Sequence, residues 1–457
     1  MKNLNYHTNR HPVIVTLFAL GVAIWLAAPA QARSLKEAVE LALASHPQLQ
    51  SARAITKAAA HDSAQARGGR LPSIDLDASA GKERSDLPLL RSAGVNSRSL
   101  SRSKLGASLT QNLYDGSANR SDIERLDARH EAVRMRLMAL EEEIATQVAQ
   151  AYIEVLKHTQ LVKLAQDNLH SLRAISDKIN LRVRGCLAQR ADQQQAAGRL
   201  ALSHSVLIAR QAKLREVAAN YQRVVGEAPR NLSETDIPVM SVLTGGKLDA
   251  EALTRLTAQT QGRAIEDNPR LRAASSDLAA ADAALRGVRS AFGPRVDVQA
   301  NVNRDRNIAA TPGSASVDSL MFVMRWNLFR GGADEAQERA LAERRSSARD
   351  DISDTRRQIE ERVALAMSAK AASEELLGYL AQHVSASTDV VDGYMNQLDV
   401  GRRTLLDVLN AEDELFNARS NLAAGRYEDQ ANQIALEAAK GSLLQSLNIS
   451  SREAAER

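Results

Sequence analysis

The chain is written twice. Residues 46–78, HPQLQSARAITKAAAHDSAQARGGRLPSIDLDA, lie without a gap over residues 268–300, NPRLRAASSDLAAADAALRGVRSAFGPRVDVQA. Pro47 meets Pro269, Leu49 meets Leu271, Arg67 meets Arg289, Pro72 meets Pro294 and Asp75 meets Asp297. Farther on, the NLYDG block ending at Gly116 matches the NLFRG block ending at Gly331. A duplication constrains the fold more than any local signal, because whatever one half builds the other must build too.

Each half reads helix, strand, loop, strand, very long helix, sharp turn, shorter helix. No proline occurs between Pro88 and Pro229 or after Pro312. Proline breaks helix interiors, so both regions are free to run as helix. In the first half the long helix runs from about Asn119 to Arg184, turns at Gly185 and resumes near Ala188 until Gly226. In the second it runs from about Ala333 to Val400, turns at Gly401 and resumes at Leu405 until Gly441. The long members reach about 100 Å and the returning ones about 55 Å. A further helix from Leu35 to about Arg67, repeated from near Pro269, spans about 50 Å and makes up the difference when stacked on a return helix. The turn opens GRRTLLDVLNAEDELFNAR, residues 401–419, in which Thr404 is placed as an N-cap and Asp407 as its capping-box partner. The predicted organisation is a first repeat over 33–226, an insertion over 227–268 carrying Pro229, Pro238, Gly245 and Gly246, a second repeat over 269–441 and a tail over 442–457.

After each helix-ending proline the period changes to two. Ile74, Leu76, Ala78 and Ala80 alternate with Asp75, Asp77, Ser79 and Gly81, and Val296, Val298, Ala300 and Val302 alternate with Asp297, Gln299, Asn301 and Asn303. Their hairpin partners are Leu105 to Leu113 and Leu320 to Leu328, the last with Leu320, Phe322, Met324, Trp326 and Leu328 on one face. Each is close to the roughly 9–11 residues that a tilted membrane strand needs. Tyr114, Trp326 and Phe329 stand where an interfacial aromatic girdle belongs. The alternative is a soluble sheet over a core, but aromatics are only 3% of the chain and the polar-studded helices offer no globular core to cover. Barrels start at about eight strands, so four must be pooled with strands from other copies; three copies give twelve.

The first 32 residues have the pattern of a secretory signal: Lys2 and Arg10, an apolar run from Val13 to Ala28, then Ala30-Gln31-Ala32. Arg33, not cysteine, follows the expected cut, so no lipid anchor is expected there. Beyond Ala32 no stretch approaches the roughly 20 apolar residues of a membrane-spanning helix. A lone Cys186 precludes an intramolecular disulfide. The formal charge of +4 is small and its basic residues interleave with acidic ones, so no nucleic-acid footprint stands out. No metalloprotease, Walker, paired-cysteine or nucleophile-elbow motif occurs, and the nine histidines are scattered. Nothing points to an enzyme, a cofactor or a metal.

The duplicated exported chain, the proline-led openings at Pro47 and Pro269, the NLYDG and NLFRG blocks, and above all VGRRTLLDVLNAEDELFNAR (400–419) resemble the TolC family of outer membrane efflux proteins over essentially the whole mature chain. The resemblance implies a mainly α fold of duplicated long helical hairpins. Three such chains would form an α-helical tunnel in the periplasm and a 12-stranded transmembrane β-barrel in the outer membrane lipid. Its implied partners are a periplasmic adaptor and an inner-membrane transporter, an ABC transporter being favoured. Gly185, Val400, Gly401, Arg402 and Arg403 would be the tips that dock the adaptor. Asp407 matches a lumen-facing family aspartate, and Asn410 stands where some members have a second one, which implies one acidic ring fewer. Arg403, Asp192 and Arg426 fall where polar links hold the closed state, while Leu398 replaces a tyrosine of that latch.

Two cargo classes follow from the resemblance. The unlipidated start and the GRRTLLDVLNAEDELF block favour type I protein secretion, with multidrug efflux as the alternative. A periplasmic adaptor would show one helical hairpin rather than two, and a coiled-coil scaffold would lack the four alternating strands.

Overall fold

The computed structural model describes residues 33–449, apart from 93, 95–96, 187, 235–249 and 309–310. The expected signal segment, residues 1–32, and the tail after Ile449 lie outside the described residues.

In order, the elements are α1 (Leu35–Ser45), α2 (Pro47–Gly68), β1 (Ser73–Ser85), α3 (Pro88–Ser92), β2 (Arg98–Tyr114), α4 (Ala118–Arg184) and α5 (Arg190–Val225). There follow α6 (Ala250–Asp267), α7 (Pro269–Val288), β3 (Arg295–Arg306), β4 (Ser314–Arg325), α8 (Ala333–Asp399), α9 (Leu405–Lys440) and α10 (Leu443–Ser446). The duplication is kept to the residue: α4 and α8 are both 67 residues long, and α5 and α9 both 36. The NLYDG and NLFRG blocks end in left-handed pairs, Gly116-Ser117 at φ 62° and 74° and Gly331-Gly332 at 63° and 82°. These conformations favour glycine, and they swing the chain from sheet to helix at the same point of each repeat.

The expected single helix from Leu35 is two helices. His46 is extended, and Pro47 starts α2 with an amide nitrogen that carries no hydrogen, which the first turn of a helix does not need. Asn268-Pro269 repeats the break between α6 and α7, with the Asn268 side chain accepting from the Arg270 amide at 3.0 Å. The first return helix begins at Arg190 rather than near Ala188. The strands of the first hairpin run longer than their alternation suggested, whereas β4 stops at Arg325, so Trp326, Leu328 and Phe329 follow the strand instead of ending it.

α4 packs against α2 and α5 of its own repeat and against α7 and α9 of the other, and α8 packs against α7 and α9. The end of α9 at Gly441 abuts Asn268 and Pro269 at the start of α7. Those two helices thus form one interrupted column between two continuous ones. The seams are narrow. The largest cluster gathers Leu35, Val39, Tyr152, Tyr221 and Leu443 where α1, α4, α5 and α10 meet. A second seats Ala264 of α6 on Ile359, Val363 and Met367 of α8 and Leu436 of α9.

Ionisable groups also lie in these seams, among them the buried Lys370 and the half-buried Glu142. Lys370 of α8 is 2% exposed and reaches both carboxylate oxygens of Asp429 on α9 at 2.7 and 2.8 Å, and the Ser373 hydroxyl donates to the same carboxylate at 2.8 Å. Glu142 of α4 accepts from the Leu443 and Leu444 amides at 3.2 and 3.3 Å, the first turn of α10. Burial pushes its carboxyl up to about 7, and the neighbouring carboxylates Glu141 and Glu437 push in the same direction.

The four strands form an antiparallel meander, β1-β2-β3-β4. Among the described residues the outer edges of β1 and β4 have no partner. Over β1–β3 one face is largely polar, while β4 places Val317, Met321 and Val323 on it; the other face carries the alternating apolar residues, which no element covers among the described residues: Leu76 is 75% exposed and Phe322 72%. Along the hairpin ends of β2 and β3 the polar-face positions are half-buried and the apolar-face positions exposed, so the polar face is the inner side. The last apolar residue on the outer face is Ala80 in β1, Leu105 in β2, Val302 in β3 and Leu320 in β4. Leu105 pairs with Ala78, Val302 with Ala107 and Leu320 with Ala300. The apolar edge therefore descends two residues per strand, as a level band does on inclined strands.

Candidate functional site

Both hairpins turn at the end of the molecule opposite the sheet, because α4 and α8 each leave the sheet and run the full helix length before turning. The return helices start alike. Gln189 and Thr404 are the N-caps, and each is closed by the aspartate three residues on: the Gln189 amide donates to Asp192 at 3.0 Å, and the Thr404 amide to Asp407 at 3.2 Å. Asp192 and Asp407 are thus the same position of the repeat. Counting back three residues from each cap pairs Cys186 with Gly401, both left-handed at φ 56° and 75°. Gly185, expected to be the turn glycine, has φ −84° and corresponds to Val400 at −91°. The left-handed residue of the first tip is a cysteine, a conformation that costs a side chain about 1 kcal/mol.

Asp407 also receives the Thr404 hydroxyl at 2.8 Å. That bond, followed by the backbone amide and the Arg403 charge, holds its carboxyl below the usual aspartate range, so it is ionised at neutral pH. Arg403 lies 3.8 Å from Asp407, donates to Gln397 at 3.0 Å and stacks 4.3 Å above the Tyr394 ring. Tyr394, Asp407, Asn410 and Glu414 line a groove of about 370 Å³ between α8 and α9. Arg403, Asp407 and Asn410 are therefore brought together. Asp192 is spent on capping the other hairpin, and Arg426 is exposed about 28 Å farther up α9.

What joins the two tips was not read from the sequence. Leu398 is 5% exposed and packs with Leu405, Val408 and Leu409 against Leu172, Ile175, Ile179 and Ala196 of the first hairpin. Arg182 donates to the Leu398 carbonyl at 2.9 Å, and Lys178 pairs with Asp399. Arg199 donates to Asn410 at 2.9 Å and pairs with Asp413. The available signal was the one-turn spacing of Lys178 and Arg182 at a helix C-terminus, which also reads as a simple complement to the dipole. Beyond these links Val400 is 68% exposed, Arg402 is exposed, and among the described residues no atom other than those of its chain neighbours lies within 4 Å of where a Gly401 side chain would begin.

At the sheet, Tyr114, Trp326 and Phe329 are all exposed, and the Trp326 indole nitrogen donates to the Phe292 carbonyl at 3.1 Å. Phe292 is a further exposed aromatic at this level that the alternation could not show. Among the described residues no helix is long and apolar enough to cross a membrane, and no group of three acidic, histidine or cysteine residues is placed to hold a metal.

The chain matches the profile of the outer membrane efflux protein family over residues 38–227 and 261–442. It is 23% identical over 325 residues to the outer membrane efflux protein BepC of Brucella suis, covering 71% of this chain and 69% of that one. It is 26% identical over 449 residues to the outer membrane protein TolC of Vibrio cholerae, covering 94% of each. Among solved structures it superposes on CusC with a TM-score of 0.77 at 17% identity, covering 89% of this chain and 91% of that chain.

Proposed function

Because the chain belongs to the outer membrane efflux protein family, we propose that three copies close one 12-stranded barrel and one helical tunnel, gated at the tips, that serves type I protein secretion. The family places the protein in the outer membrane with its helices in the periplasm, as a passive exit duct for tripartite exporters and not an enzyme. The reading is carried by one observation: an uncovered apolar sheet face with two open edges stands at one end, and two hairpin tips bound by polar links stand at the other. The repeats over 33–226 and 269–441 supply two continuous and two interrupted columns per copy. Val400, Gly401 and Arg402, with Gly185 on the other tip, are free to meet a periplasmic adaptor, and an ABC transporter supplies the energy. Arg403, Asp407 and Asn410 line the mouth, while Asp192 and Arg426 contribute through contacts between copies.

Type I secretion is favoured by the block from Gly401 to Phe416. Multidrug efflux is the second reading, supported by the likeness to an efflux protein, BepC. Rescue of polypeptide export, and not of drug resistance, in a channel-deficient strain separates them.

The gate is tested by conductance of the detergent-purified protein in a planar bilayer. Asp407→Ala and Arg403→Ser each raise single-channel conductance about twofold or more, and millimolar trivalent cation on the tip side blocks the wild type; unchanged conductance in both variants sinks the gate. Closure is tested by register. If the apolar edge keeps its two-residue descent from one copy to the next, Ala80 of one faces Phe322 of its neighbour. Ala80→Cys with Phe322→Cys, in a Cys186→Ser background, then gives covalent trimers on mild oxidation. Within one chain these positions are three strand spacings apart, about 14 Å, too far to bridge.

A further inference from the structure

Above its apolar edge the outer sheet face changes chemistry abruptly. The first residues beyond the edge are Lys82, Ser103, Arg304 and Asp318, and the next are Arg84, Ser101, Arg306 and Ser316. On the inner face at this height the cations are matched: Arg102 pairs with Glu83 at 2.5 Å and Lys104 with Asp77 at 2.9 Å. On the outer face the only acid in these two tiers is Asp318, and Arg304 holds both of its oxygens, at 2.6 and 3.3 Å. Among the described residues Arg84 has only a neutral partner, the Ser97 hydroxyl at 3.1 Å. Among the described residues Lys82 and Arg306 form no ion pair. They line, with Ser101, Ser103 and Asn307, a hollow of about 630 Å³ open on this face.

Resting on the outer-membrane reading above, we propose that Lys82, Arg84 and Arg306 form an outward phosphate shelf that binds the headgroup of a phosphorylated outer-leaflet glycolipid. Two features choose the occupant. The shelf stands directly above the band that acyl chains must cover, so a molecule with an apolar tail and an anionic head meets both at once. The charge that shelf residues lack on the protein is the charge a phosphate carries, and the Ser101 and Ser103 hydroxyls add neutral donors to its oxygens. A soluble sheet would have no reason to leave three cations unmatched on one face while matching those on the other.

The test titrates the detergent-purified protein with bisphosphorylated lipid A, with its monophosphoryl form and with inorganic phosphate. Lys82→Gln/Arg84→Gln/Arg306→Gln is expected to bind bisphosphorylated lipid A roughly tenfold more weakly or worse. The charge-conserving Lys82→Arg/Arg306→Lys binds within about twofold of wild type, and the monophosphoryl lipid binds more weakly than the bisphosphorylated one. Wild-type-like conductance of the triple variant in neutral lipid shows that it is folded. Equal lipid affinity in the triple variant overturns the shelf and leaves the channel standing. Displacement of the lipid by equimolar inorganic phosphate overturns the lipid as the occupant. A wild type that binds lipid A in this charge-dependent way but never conducts overturns the channel reading and leaves the shelf.

Discussion

Lys370→Met is expected to cost the folded protein about 3–5 kcal/mol, read as a lower urea midpoint of helical circular dichroism in detergent. The substitution keeps the side-chain bulk but leaves the Asp429 carboxylate in the α8–α9 seam with only the Ser373 hydroxyl for company. An uncompensated charge in that setting is far worse than an absent pair, so Lys370→Met/Asp429→Leu recovers most of the loss. A double variant as unstable as the single one would show that the seam's packing, not the stranded charge, sets the cost. The pair has a further use. α8 and α9 meet along a seam in which small residues such as Ala371, Ser373, Ala418 and Ala423 separate the larger ones, and a buried ion pair adds a contact that can be satisfied at only one register.

The second large effect depends on pH. The Glu142 carboxyl lies at about 7 in the folded protein against an ordinary 4.5. The native state therefore holds a proton that the unfolded chain releases, and stability from this site is present below pH 4.5 and lost as pH rises to about 7. A displacement of that size corresponds to about 3 kcal/mol. The groups facing Glu142 do not neutralise it. Glu141 is committed to Arg53 at 3.0 Å and Glu437 to Lys440 and Ser442, which leaves the α10 amides as its donors. Glu142→Gln should accept from those amides without titrating. The difference in stability between wild type and Glu142→Gln should change by about 3 kcal/mol from pH 4.5 to pH 7.5 in favour of the variant at high pH. A flat difference curve would mean that water reaches the carboxylate.

Much of this architecture is legible in the chain, and particular residues show why. Proline-free stretches delimit α4 and α8 because one proline inside either would break it, and the duplication fixes the second half once the first is read. Thr404 and Asp407 form the predicted capping box because both partners lie within one turn. The His46–Pro47 break was missed because α1 and α2 keep helical spacing on both sides of a proline that a new helix tolerates at its first position. The first hairpin outran its prediction because Lys82 to Ser85 and Arg98 to Ser103 are largely polar on both faces and carry no alternation to read. At the tips, Arg182 meets Leu398 across more than two hundred residues, and nothing local announces such a contact. Cys186 hid its equivalence with Gly401 behind a glycine one position too early.

In the closure proposed for three copies, the two-residue descent of the apolar edge also fixes a width. Carried around twelve strands it amounts to a shear of about 24, and with strands about 4.8 Å apart and residues about 3.3 Å apart the strands lean by roughly 50°. The backbone circle is then roughly 30 Å across. Where the inward side chains are short, as at Asp77, Ser79 and Asn303, the bore is roughly 20 Å, wide enough for a helix of about 10–12 Å but narrower than a folded domain of about a hundred residues. On the proposed secretion reading, a polypeptide cargo must arrive at this exit unfolded and fold only after it has left.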